Sequence, residues 1–119
     1  MAITTEVLED NDEFKITHRT QPYEDGFGST HEGWFNLTHK PTGSTSGVYF
    51  TTNGKDVGIE GMNSGTKRQG HMTRVMHHLY KRYPGFIDFG GTSYEGTFMA
   101  KKMESIYGRT DFDPNGDDH

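Results

Sequence analysis

Residues 65–85 read GTKRQGHMTRVMHHLYKRYPG and hold five cations, Lys67, Arg68, Arg74, Lys81 and Arg82, with no Asp or Glu. The chain as a whole carries a formal charge of −5. A basic segment inside an acidic chain suits a local anion, because fields act locally whatever the net charge. Lys67 and Arg68 lead into Gln69, Gly70, His71 and Met72. From Met72 onward, Val75, Met76, Leu79, Tyr80 and Tyr83 recur at the spacing of one helical face. A helix start presents unpaired N–H groups and the positive end of a dipole. A glycine there lets a phosphate approach the backbone. The plainer reading of the same residues is a solvated basic face.

The histidines raise a second chemistry. His71 and His78 are seven residues apart and share a helical face, with His77 beside them. Metal-binding helices pair histidines at i and i+4 with a carboxylate close by. Neither feature is present in this segment, so no metal site is expected.

The elements that must position these residues follow from periodicity. Residues 12–19 (DEFKITHR) alternate as a half-buried strand. Residues 33–40, 45–52 and 55–62 read as three further strands, joined by a turn at 41–44 and by Asn53-Gly54, a strong hairpin signal. They imply an antiparallel meander. A helix over 70–83 ends at Pro84-Gly85. Residues 86–90 (FIDFG) form a short buried strand. A second helix spans 94–107 with Phe98, Met99, Met103, Ile106 and Tyr107 inward, and Gly108 fits its C-terminal stop. The fold class is α+β, with a mixed, mostly antiparallel sheet and two packed helices. One domain over 1–109 is expected, followed by an acidic, disordered tail over 110–119.

Composition narrows the class. The chain has 119 residues, 29% hydrophobic, 16 glycines and no cysteine. Thiol chemistry and a disulfide framework are excluded. No apolar run reaches the roughly 20 residues of a membrane span. A cytoplasmic protein with no membrane partner is expected.

The block Lys67-Arg68-Gln69-Gly70-His71-Met72 resembles the acetyl-CoA-binding motif of GNAT-type N-acetyltransferases. The run Gly70-His71-Met72-Thr73 is similar to the version in ribosomal-protein-type members. The element order over 33–109 matches that family's core, with little room for its first two helices in residues 20–32. The resemblance implies that acetyl-CoA is the cosubstrate, held by Met62, Asn63, Lys67, Arg68, Gln69, Gly70, His71 and Met72. It implies that the strands at 56–62 and 86–90 splay apart around the pantetheine arm. Lys67 stands where Arg or Gln is usual, and Met72 replaces a second Gly. Glu104 occupies the place, four residues before the closing Gly108, where many members carry a Tyr.

Acetyl transfer needs a base for the amine, a backbone N–H for the carbonyl and an acid for the leaving thiolate. The resemblance points to Glu60 as base, acting through a water between Gly58 and Gly61. Met62 or Asn63 supplies the amide. Tyr94, Ser105 and Tyr107 are the sources for an acid. The partner is an amine acceptor, either a protein or a small molecule, and a homodimer is open. The alternative is a non-catalytic GNAT-like module that binds or inhibits a partner protein through aromatics such as Tyr23, Phe27 and Trp34. Nucleic acid is not the expected partner, since duplex binding wants a broad basic face.

Overall fold

The computed structural model describes residues 3–24, 26, 28–65, 70–91 and 94–113. A single seven-stranded sheet runs in sequence order from β1 (Thr4–Asp10) through β2 (Phe14–Pro22), β3 (His31–His39), β4 (Ser44–Thr52), β5 (Val57–Ser64) and β6 (Ile87–Gly91) to β7 (Thr110–Asp113). The first five strands pair antiparallel. β5, β6 and β7 pair parallel, with α1 (His71–Arg82) and α2 (Tyr94–Tyr107) as the crossovers. Both helices contribute to the same core, so they lie on one face of the sheet.

The core lies between that face and the helices. Phe14, Ile16, Phe35, Leu37, Val48 and Phe50 meet Val75, Met76 and Leu79 of α1 and Ala100 and Met103 of α2. Strand alternation and helical period therefore point at the same interior. The Asn53-Gly54 hairpin forms, but over four residues, 53–56, between the paired Thr52 and Val57 and not as the two-residue turn that strands 45–52 and 55–62 imply; Gly54 has φ 96, and Asn53 Oδ1 accepts the N–H groups of Lys55 and Asp56. α1 stops at Tyr83, which is extended and precedes Pro84.

Three features depart from the expectations. β1 arises from a stretch with no apolar alternation. Its Glu6 and Glu9 turn toward the helix face, where Glu6 meets His18 at 2.7 Å and Glu9 meets both Arg74 and His78. Ion pairs and hydrogen bonds to α1 and β2, not an apolar stripe, tie this edge strand down. The tail expected to be disordered from residue 110 begins instead with β7, which pairs with β6; residues 114–119 lie outside the described residues. Arg109 secures that junction by donating to the carbonyls of Tyr80, Tyr83 and Gly85. Finally, Phe98 and Ile106 of α2 are 66% and 50% exposed. α2 lies over the sheet margin beside β7 and buries only a narrow stripe, so these two side chains face outward.

Among the described residues no helix is long and apolar enough to cross a membrane.

Candidate functional site

The parallel pair β5–β6 opens along its length. Val57 pairs with Ile87 and Gly58 with Asp88, and the registered pairing stops there while β5 runs on to Ser64. At the same point β5 is irregular against β4. Tyr49 opposes Gly61 and Phe50 opposes Ile59, which leaves Glu60 as the extra residue of a bulge. A bulge bends its strand and locally breaks the ladder.

The bulge also resets which way the backbone faces. The Val57 N–H donates to Phe86 O toward β6, whereas the Gly65 N–H donates to Thr45 O toward β4. Eight residues along an unbroken strand would leave both facing the same way. The additional residue at the bulge accounts for the reversal. Counting back from Gly65, the Asn63 amide faces β4 and the Met62 amide faces the side that β6 has left. Of the two residues expected to polarise a carbonyl, Met62 has the orientation for it.

Side chains are reset as well. Glu60 lies on the face opposite the helices, where Thr51 Oγ1 donates to its carboxylate at 3.4 Å. Strict alternation puts Met62 on the same face as Glu60. In the structure Met62 pairs with the inward-facing Val48, past the bulge. Around Glu60 the open face is polar and aromatic. Trp34 and Tyr49 stack at 5.2 Å, and the Tyr49 hydroxyl donates to Glu32 at 2.6 Å. That hydrogen bond, together with burial, pushes the Tyr49 phenol up to about 12. A groove of about 330 Å³ runs between Trp34 and Tyr49 on one side and Gly61, Met62 and Asn63 on the other.

Residues 65–70 join β5 to α1. Gly70 sits just before α1 in the left-handed region at φ 77, with no side-chain cap and no acidic residue in the first turn. A Cβ on Gly70 would meet nothing within 4 Å among the described residues. His71 does not point outward as a phosphate-bordering residue would. It is 5% exposed and packs against Phe14 and His39, with ring centroids 5.3 and 4.9 Å away. Burial pushes its imidazole below the ordinary histidine value. Met72 is half-buried against the core. Lys67, Arg68 and Gln69 lie outside the described residues. Sequence reasoning had no signal for Ser46, which pairs with Ser64 at the end of β5. Its hydroxyl and His71 Nδ1 are buried with no hydrogen-bond partner among the described residues.

The remaining candidates are elsewhere. Ser105 is exposed, and its hydroxyl donates to the carbonyl of Lys102. Tyr107 stacks on Tyr80, and its hydroxyl bonds His77 Nδ1 at 2.6 Å. Both belong to the last turn of α2, which returns to the end of the sheet where β5 and β6 are still paired. They are on the helix side, and Glu60 is on the open face, so the fold does not bring them together. Tyr94 opens α2 directly after β6, and its side chain lies outside those described.

No family model, no curated protein and no solved structure matches the chain.

Proposed function

We propose that the protein is an acyl-CoA-dependent N-acetyltransferase with a GNAT-like core, acting in the cytoplasm. One observation carries this reading: the parallel pair β5–β6 parts beyond Gly58 and Asp88, and the bulge at Glu60 turns the Met62 N–H into the space between the strands. That arrangement offers a slot for an extended acyl-thioester arm with a fixed donor beside it. The start of α1 suits the anionic end of the same cosubstrate. Gly70 adopts a left-handed backbone with no Cβ to crowd a phosphate, and the first turn of α1 carries no acidic residue.

The chain's own groups then have defined tasks. The Met62 N–H donates to the carbonyl oxygen and stabilises the charge that develops there. Glu60, through a water, takes the proton that the amine loses as its nitrogen bonds the acyl carbon. As the carbon–sulfur bond breaks, the thiolate takes a proton from solvent, since Tyr107 and Ser105 are held at the other end of α2. When bound, acetyl-CoA would supply the activated acyl group and leave as the coenzyme A thiol.

A second reading is a non-catalytic module that keeps the slot and binds a partner. The tie between Tyr107 and His77, away from Glu60, favours it. Calorimetric titration with acetyl-CoA tests both readings. The expected result is binding that weakens by about 1–3 kcal/mol in Gly70→Val, because a β-branched residue resists the left-handed backbone that shapes the loop. Binding without turnover on any amine selects the module; absence of binding removes both.

A further inference from the structure

On the face of the sheet away from the helices, one row of cross-strand partners stops a ring short. Arg19 of β2 pairs with Trp34 of β3, Trp34 with Tyr49 of β4, and Tyr49 with Gly61 of β5. Phe35, Val48 and Phe50 point into the core, so Trp34 and Tyr49 beside them face away from it. Side chains stand roughly perpendicular to a sheet, and planar groups in such a row stack. The Arg19 guanidinium lies over Trp34 at 4.9 Å, and Trp34 stacks on Tyr49 at 5.2 Å. The fourth place has no side chain, and a Cβ on Gly61 would meet nothing within 4 Å among the described residues. The extra residue at Glu60 puts Gly61 there; without it, position 61 would oppose Val48 and face the helices. The empty place has polar ends. Asn63, two residues along β5, pairs with Gly47, and Asn36 leans over Gly47 from β3, where a Cβ would come within 2.8 Å of its Oδ1. Both asparagines are exposed, and neither carboxamide has a hydrogen-bond partner among the described residues. Glu60, which accepts from Thr51, bounds the other end.

We propose that the place over Gly61 binds the base of a purine nucleoside, stacked on the outer face of Tyr49 with one edge toward Asn63 and Asn36 and the other toward Glu60. The groove there, about 330 Å³, is open to such a ring. Neighbouring strands are about 4.8 Å apart, so a flat ring over Gly61 falls within stacking distance of Tyr49. The polar ends favour a base over a hydrocarbon ring. A carboxamide presents a donor and an acceptor side by side, the pattern with which asparagine meets adenine. A phenyl ring would leave such groups unpaired. Charge favours a nucleoside over a nucleotide. β3, β4 and β5 contain no Lys or Arg, and Arg19 lies on the far side of Trp34. Glu32 and Glu60 stand beside the groove, where they repel a phosphate and can accept from ribose hydroxyls. The site is separate from the start of α1 and does not rest on the function proposed above.

Trp34 is the one tryptophan of the chain, so its emission reports on the row. The test is titration of the full chain with adenosine, read by Trp34 fluorescence and by calorimetry, beside adenosine monophosphate, ribose and benzyl alcohol. Adenosine is expected to change the emission and to bind more tightly than the other three. Gly61→Val fills the place with a side chain suited to a strand and is expected to lose about tenfold or more. Asn36→Ala, at an exposed position, is expected to lose about threefold to tenfold. Both variants should keep the wild-type circular dichroism; should Gly61→Val fail to fold, Asn36→Ala carries the test. No adenosine binding, equal affinity in the folded variants, or equal or tighter binding of adenosine monophosphate or benzyl alcohol overturns the proposal. A loss in Gly70→Val with none in Gly61→Val would put the base at the start of α1 and also overturns it. Absence of acetyl-CoA binding in wild type with adenosine binding intact overturns the transferase reading and leaves this one.

Discussion

Glu60 is where a single residue changes both the backbone and the chemistry. As the bulge residue of β5 it turns the Met62 amide toward the gap, and its carboxylate stays on the open face beside Thr51. Glu60→Gln keeps the shape and removes the basicity. Turnover is expected to fall by about 10²–10⁴-fold near neutral pH, the range for a general base. Acetyl-CoA affinity should hold. The deficit should shrink as pH rises, because more acceptor amine is then free without help. Initial rates against pH for both proteins check this, and parallel profiles of equal height remove Glu60 from the mechanism.

At the scale of elements, the clamp between β1 and α1 is the informative contact. Glu9 accepts from Nε and Nη2 of Arg74 and meets His78 at 2.7 Å, and Arg74 also lies over Phe14 at 4.4 Å. The Arg74 hydrogen bond, opposed by burial and aided by His78, holds the Glu9 carboxyl below its ordinary value. A carboxyl with a depressed folded pKa contributes stability above its unfolded pKa and loses it as pH falls through the folded value. Glu9→Gln is therefore expected to cost about 1–2 kcal/mol near pH 7, discounted for the exposure of Arg74. The gap between variant and wild type should close well below about pH 4.5, where Glu9 is itself protonated. Denaturant melts at two pH values measure it. A constant gap at both would show that packing, not charge, holds β1.

For the molecule as a whole, two buried histidines and the half-buried His77 contribute to the response to acid. Burial lowers the pKa of His18, His71 and His77 in the folded chain. The unfolded chain then binds more protons between the folded values and the ordinary one, so stability present above about pH 6.5 is lost as pH falls through that window. His71 is the cleanest probe. It packs on Phe14 and His39, with Glu13 and Arg74 also acting on it, and its Nδ1 has no partner among the described residues. His71→Phe should keep the ring contacts, remove one titrating group and flatten the fall in Tm between about pH 7.5 and about pH 5.5. An unchanged slope would assign that fall to His18 and His77 alone.

The sequence by itself determined the elements whose signal is local. The 3.6-residue spacing from Met72 to Tyr83 and the stop at Pro84 made α1, and alternation with Asn53-Gly54 made β2 to β5. It also determined the glycine at the start of α1 and the concentration of cations around it. Only the tertiary structure decided the rest. Register against β4 created the bulge that separates Glu60 from Met62, and a one-residue slip changes every face beyond it. β1 exists because Glu6 and Glu9 meet partners far along the chain, which no local pattern encodes. The exposure of Phe98 and Ile106 depends on α2 landing at the sheet margin. Glu32, Glu60, Asp88 and Asp111 come from four strands, and strand order with register sets them on one surface. Local spacing encodes an element's period; which face meets water is settled by what packs against it.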